Sequence, residues 1–337
     1  MKRMNRMQGG LKALAGMGLL ACMLAFGGCG GDTAKSDSGN KTVSVGIIQL
    51  VEHPALDAAN KGFVDGLKNK GFEEGKNLKL DKQNAQADQS NLQTIAQRFV
   101  NNKVDLVCAI ATPAAQTMAN ASKEIPIVGT AITDYKTAKL VQDNAKPGTN
   151  VTGTTDKNPV DKQIAMIKQV LPQAKTVGFI YNSSEVNSQI QIEEAKKAAA
   201  AQGLAAVEAT VSNVNDIQQA AQSLMGKVDA IYVPTDNVIA SAMPNLTKIT
   251  DEKKIPVFCG EANMVKGGGL AALGVDYYKL GVQAGEMAGD ILLGKAKPQT
   301  MAVEEQKTFT VTLNEEAAKR LGITFPDALL KEVKGAN

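Results

Sequence analysis

A single histidine, His53, stands at the end of the largely apolar run "VSVGIIQLVEH" and is followed by a proline. An imidazole can serve as a base, a metal ligand or a hydrogen-bond partner. The rest of the chain narrows that choice. A nucleophilic triad needs a base held by a carboxylate beside an activated serine or cysteine, and there is no GxSxG turn to present one. Zinc needs several ligands, and no HExxH pair or cysteine cluster accompanies this residue. Catalysis, a metal site and a cofactor are therefore not expected, which leaves His53 as a ligand contact or a plain loop residue. Cys108 and Cys259, in "DLVCAIA" and "IPVFCG", lack CxxC spacing and read as buried thiols. Gly267 to Gly269 lack the GxxxxGK[ST] pattern of a phosphate loop and read as a turn.

Other polar groups collect where apolar runs end. Gln49 and His53 close one such run, and Thr112 with Pro113 closes a second. Thr133 and Asp134 follow a third, and "NSSEVNS" supplies Asn182, Ser183, Ser184, Glu185, Asn187 and Ser188. Asp236, Asn237, Glu261 and Asp276 complete the set. Thr112 before Pro113 has the form of a helix N-cap, which leaves backbone N–H groups able to meet a carboxylate. Ser183 and Ser184 precede a helix in the same way. The acids Asp134, Glu185, Asp236, Glu261 and Asp276 are of the type that would pair with a ligand ammonium, although each could equally cap a helix. Among the tyrosines, Tyr232 suits a core, whereas Tyr135, Tyr181, Tyr277 and Tyr278 could wall a pocket.

Something must gather these positions. Short Val/Ile-rich runs alternate with helical patterns of ten to twenty residues, from "VSVGIIQL" through "ALDAANKGFVDGLKNKG" to "DLVCAIA". That alternation predicts βαβ units, parallel sheets and an α/β fold, in which ligands bind beyond the carboxyl ends of the strands. The pattern also repeats. Asp105 to Thr130 and Asp229 to Gly260 each carry an Asp, an apolar strand, a Thr at its end, an Ala-containing helix and an Ile-Pro that opens another strand. Two Rossmann-like, doubly wound lobes joined by several crossing segments are expected. Residues 42–152 with 277–300 form the first lobe in this reading, and 153–276 with 301–337 the second.

The N-terminal residues belong to neither lobe. Lys2, Arg3, Arg6 and Lys12 precede an apolar stretch and then small residues, the pattern of a signal peptide over 1–28. Cys29 follows "AFGG" and opens the polar tract 29–41, which reads as a flexible tether. Cys29 is thus a candidate lipidation site, with Cys22 a competitor. The formal net charge of +3 includes those four basic residues and no acid from the same segment, so the remainder carries −1. No basic surface for nucleic acid is expected, and the absence of Trp argues against base stacking.

The segments "HPALDAANKGFVDGL", "NLQTIAQRFVNNKVDLVCAIATPAAQ", "IPIVGTAITD", "NVTGTTD", "VGFIYNSSEVNS", "DAIYVPTDN" and "LGVDYYKLG" together resemble the substrate-binding lipoproteins of ATP-binding-cassette importers, in the group with tryptophan- and tyrosine-binding members. The resemblance implies a type I periplasmic-binding-protein fold, closure of the lobes on a ligand, and delivery to a permease and its ATPase subunit. It further implies a monomer held by lipid on the outer face of the bacterial cell membrane. An aromatic α-amino acid is the implied ligand, its carboxylate at Thr112 and Ser183 to Ser188, its ammonium at Asp236 or Asp276. A receptor for a sugar or branched-chain amino acid, and a lipoprotein for adhesion or sensing, are the alternative readings.

Overall fold

The structure, a computed structural model, describes residues 42–335. The expected signal peptide, Cys22, Cys29 and the whole of the tether lie outside the described residues. The first lobe begins β1 (Val43–Gln49), α1 (Pro54–Asn69), β2 (Leu78–Asn84), α2 (Gln89–Asn101), β3 (Leu106–Ile110), α3 (Thr112–Ala121), β4 (Ile127–Ile132) and β5 (Val151–Thr155). The chain then enters the second lobe with α4 (Val160–Val170), β6 (Thr176–Asn182), α5 (Val186–Ala201), β7 (Ala205–Val211), α6 (Ile217–Leu224) and β8 (Ala230–Val233). It continues through α7 (Asn237–Ser241), α8 (Met243–Glu252), β9 (Val257–Cys259), α9 (Ala262–Lys266) and β10 (Ala271–Gly274). Next, α10 (Tyr277–Leu292) and β11 (Glu304–Glu305) return to the first lobe, and β12 (Thr310–Leu313), α11 (Glu315–Leu321) and α12 (Asp327–Gly335) finish on the second.

Each lobe is built on a six-stranded sheet, ordered β11-β5-β4-β3-β1-β2 in the first and β12-β10-β9-β8-β6-β7 in the second. Neighbouring strands run parallel except β10 and β12, which are antiparallel. Both lobes are doubly wound, as the alternation predicts. Because β11 pairs with Thr154 and Thr155, residues 153–155 and 304–305 stay on the first sheet. The first and third crossings therefore fall slightly later than the limits at 152 and 300.

Strand periodicity separates the core of the second lobe into two layers. Val177, Phe179, Ala230, Tyr232 and Phe258 face α4 and α5, while Ile180, Ile231, Val233, Val257 and Cys259 face α6, α7 and α8. Each large side chain so buried contributes about 1.5–3 kcal/mol. Tyr232 is in this core, its hydroxyl donating to Gln163 at 2.6 Å. Cys108 and Cys259 are buried free thiols, as read from their spacing.

In the first lobe, α1 and α10 touch through glycines. A methyl group on Gly62, Gly66, Gly281 or Gly285 would lie 2.1–2.2 Å from a backbone oxygen of the opposing helix. Contact pairs advance together along both helices, so the two run the same way and bring their first turns side by side. This close approach fixes His53, ahead of α1, relative to Tyr277, the first residue of α10.

Candidate functional site

Between the lobes lies a small cavity lined by His53, Leu56, Ala131, Thr133, Asp156, Asn187, Thr235, Asp236, Asn237, Ala240, Glu261, Met264 and Tyr277. Its free volume is only about 10 Å³, so a guest larger than a water molecule requires the lobes to part before they shut on it. The lobes also touch directly. His53 Nε2 lies 3.3 Å from Asn237 Oδ1, Thr133 Oγ1 lies 3.5 Å from Thr235 Oγ1, and Gln191 Nε2 donates to Thr133 Oγ1 at 3.4 Å. These contacts describe a closed arrangement.

Three carboxyls face this space, and no lysine or arginine is among the lining residues. Asp156 sits on the first crossing segment, where Thr133 Oγ1 donates to it at 2.9 Å and the Tyr277 hydroxyl at 2.6 Å. Burial raises its pKa above the ordinary carboxylate range, and the two hydroxyls oppose that rise. Asp236 is differently held. Its carboxylate accepts from Asn182 N at 2.6 Å, Ser188 Oγ at 2.7 Å and Ile239 N at 3.0 Å, so it caps α7 and ties that helix to β6 and α5. Glu261 caps α9 by accepting from Asn263 N at 2.6 Å and Met264 N at 2.8 Å, and burial pushes it up to about 7. Behind the wall, burial and then Asp236 push Glu185 up to about 7.

The strand-end set does not assemble as a whole. The structure brings His53, Thr133, Asn187, Asp236, Asn237 and Glu261 to the cavity, with Asn182, Glu185 and Ser188 in support behind Asp236 and Asn237. Gln49 is instead tied to its own lobe, donating to Val51 O and Asp57 and accepting from Asn60. Asp134 caps a turn through Thr137 N, and Asp276 is an exposed cap of α10. Ser183 and Ser184 are exposed in the turn before α5, whose N-cap is Glu185 rather than either serine. Thr112 likewise is not the cap of α3. That position belongs to Ala111, at φ 83° and ψ 153°, and Thr112 is the first helical residue, with its buried hydroxyl unpartnered. Pro113 and Ser184 both line a second, more open groove beside α3.

Asp156, Tyr277, Leu56, Thr235, Ala131, Ala240 and Met264 complete the cavity from outside the set of acids, amides and hydroxyls chosen at strand ends. Asp156 was findable, because "VTGTTD" is an apolar-to-polar strand end of the same kind, although it reads as a linker in sequence. Of the four tyrosines suited to a pocket wall, only Tyr277 reaches it. Tyr135 packs in the first lobe and donates to Thr154 O, Tyr181 donates to Glu208, and Tyr278 donates to Asp65 at the surface. Backbone strain borders the site as well. Ala111 and Ala131, at the ends of β3 and β4, have φ of 83° and 57°, conformations that cost an alanine about 1–3 kcal/mol.

Comparison with known proteins agrees with this architecture. The family described as ABC transporter substrate binding protein matches residues 44–336. A tyrosine-binding protein of Clostridioides difficile is 45% identical over 290 residues, 86% of this chain and 84% of that protein. A solved structure from Streptococcus pneumonia of an ABC domain in complex with L-Trp shares 41% identity at a TM-score of 0.84, covering 87% of this chain and 98% of that one. The ligand-free, open structure of a substrate-binding protein with adhesive properties from Clostridium difficile shares 46% identity but a TM-score of only 0.65, over 85% and 96%. The lobes here are thus disposed as in the L-Trp complex rather than the open form, in line with their direct contacts.

Proposed function

The chain belongs to the ABC transporter substrate binding proteins, and from that premise we propose that it is the exported, lipid-anchored receptor of an importer, which encloses an aromatic α-amino acid between its lobes and delivers it to a permease. It is a binding protein and not an enzyme. The observation that carries the ligand class is the cavity with three buried carboxyls and no lysine or arginine lining it, which favours a guest bearing positive charge. His53 does not supply that charge, because burial lowers its pKa to about 4.

Asp156 is the acid we assign to the ammonium. Backbone N–H groups occupy both oxygens of Asp236 and of Glu261, whereas each oxygen of Asp156 accepts one rotatable hydroxyl and keeps a lone pair. Asp276, on the surface, is replaced in this role. For the ligand carboxylate, the neutral donors we assign are the Thr235 hydroxyl on the cavity wall and the unpartnered Thr112 hydroxyl of the first lobe. Names of relatives point to tyrosine and tryptophan as the first guests to try. Closure follows from a ligand that touches both lobes and so stabilises the shut form by its differential affinity.

Calorimetric titration with L-tryptophan, L-tyrosine and L-phenylalanine tests the reading. Saturable one-to-one binding, weakened at least tenfold by Asp156→Asn, is expected. Failure of all three to bind removes the proposed ligand class, and an unaltered Asp156→Asn protein removes the ammonium assignment alone. The anchor is tested separately, since Cys29→Ala should release the protein from the membrane fraction while Cys22→Ala should not.

A further inference from the structure

Three residues connect the interior of the second lobe to the one histidine of the first. Five N–H donors surround the carboxyl of Glu185: Asn182 Nδ2, Asn187 Nδ2, the backbone N–H groups of Asn237 and Val238, and Asn237 Nδ2. Ringed in this way and ionised, as it is above about pH 7, the carboxyl acts as an acceptor on both oxygens. It therefore dictates which way the Asn237 amide points, with the NH₂ group toward Glu185 and Oδ1 toward His53. A carbonyl oxygen accepts only, so His53 Nε2 must carry the proton at that 3.3 Å contact. Since the buried imidazole is neutral, its Nδ1 holds a lone pair.

That Nδ1 has no partner, although His53 is only 6% exposed. Nor does it cap its own helix, because the N-cap position makes no side-chain hydrogen bond. An acceptor buried without a donor is costly unless something else supplies one.

The position of His53 in the cavity says what that donor belongs to. Two poles can be distinguished. Tyr277 and Thr133 both donate to Asp156, so these three lie together at an acidic pole. His53 contacts Asn237 instead. With it are Leu56, three residues on in α1, and Ala240, three residues on from Asn237 in α7, so the His53 pole offers apolar surface beside the imidazole and its amide partner. An amino acid whose ammonium meets the acidic pole places its side chain toward the histidine.

We propose that His53 Nδ1 accepts a hydrogen bond from an N–H or O–H on the ligand's side chain, and that Glu185, acting through Asn237, is the positioning residue that holds the imidazole in the required tautomer. This deepens the amino-acid reading above and rests on it. It selects a subclass of guests, aromatic amino acids whose ring ends in a donor, such as a phenol or an indole, over those with a plain phenyl ring.

The chain's single histidine allows a direct test, because ¹⁵N–¹H correlation spectra of the labelled protein contain one imidazole. The Nε2–H tautomer is expected without ligand, and addition of L-tyrosine should shift the Nδ1 resonance in the sense of an accepted hydrogen bond while L-phenylalanine should not. Calorimetry should show L-tyrosine bound on the order of tenfold to a hundredfold more tightly than L-phenylalanine. Glu185→Gln, checked for folding by its melting curve, should mix the tautomers and shrink that preference. An Nδ1–H tautomer in the parent protein overturns the relay whatever happens to the variant. Equal affinity for tyrosine and phenylalanine overturns the proposal while leaving the amino-acid reading intact, whereas absence of binding by either, and by tryptophan, overturns both.

Discussion

The β3–α3 junction of the first lobe and the β8–α7 junction of the second occupy equivalent places in their sheets and arise from similar sequence. Their strands even begin alike. Asp105 accepts from Ser44 N at 2.8 Å, and Asp229 accepts from Lys175 N and Thr176 N at 2.7 and 2.8 Å, so each acid secures the start of the neighbouring strand. At the far ends they diverge. Around Asp236 every carboxylate oxygen is engaged by a donor of the same lobe. Around Thr112 the hydroxyl is unpartnered and the preceding alanine is strained. The second lobe's strand end is thus satisfied from within, whereas the first lobe's keeps an unpartnered hydroxyl even in the closed arrangement, an asymmetry suited to a site where one wall is rigid and the other completes its contacts with the ligand.

The largest test of this difference concerns what holds the first wall in place. Gly281→Val, which puts a side chain into the backbone of α1, should destabilise the protein by about 3 kcal/mol or more and lower its melting temperature sharply. An unchanged melting curve would mean that the helices can separate and that His53 and Tyr277 are not fixed by them.

Next come the junctions themselves. Asp236→Ala strips the acceptor from two backbone N–H groups and a hydroxyl, and should cost about 2–3 kcal/mol in denaturant unfolding. Thr112→Val should leave stability within about 1 kcal/mol, since no internal bond is lost, yet weaken ligand binding. Equal stability losses at both positions would erase the distinction between the lobes.

Proton linkage sets the lobes against each other. Glu185 and Glu261, raised to about 7 from an ordinary 4.5, hold protons more tightly when folded, so their contribution favours the fold at low pH and declines as pH rises from about 4.5 to 7. His53, lowered from 6.5 to about 4, works the other way: the unfolded chain binds its proton more tightly, so stability from this group grows from about pH 4 to 6.5. Two glutamates outweigh one histidine. Melting temperature of the ligand-free protein should therefore fall modestly between pH 4.5 and 6.5, and more steeply in His53→Gln. Burial raises the pKa of Asp156, so affinity for an ammonium ligand should rise with pH as this carboxyl ionises, with proton release visible as a buffer-dependent binding enthalpy.

The smallest effect is the strain itself. Ala111→Gly removes the side chain from a conformation that glycine tolerates, and should stabilise the protein by about 1 kcal/mol in chemical denaturation. A loss of stability there would show that the alanine methyl contributes more by packing than it costs in backbone energy.

Much of the architecture is legible in the sequence, because alternating apolar runs and helical patterns report local periodicity, and local periodicity is written residue by residue. The two-lobed α/β fold, the buried thiols and the core role of Tyr232 are of this kind. Tertiary structure decided the rest. Gln49 and His53 end the same run four residues apart, yet one is locked within its lobe and the other crosses to Asn237. Asp236 and Asp276 both cap helices, but only the first does so facing the cavity. Asp156, which reads as part of a linker, stands between the lobes because the chain crosses there. A sequence states which groups end each strand. Which of them share a cavity depends on how two separately folded sheets meet, and that is set by contacts between residues far apart in the chain.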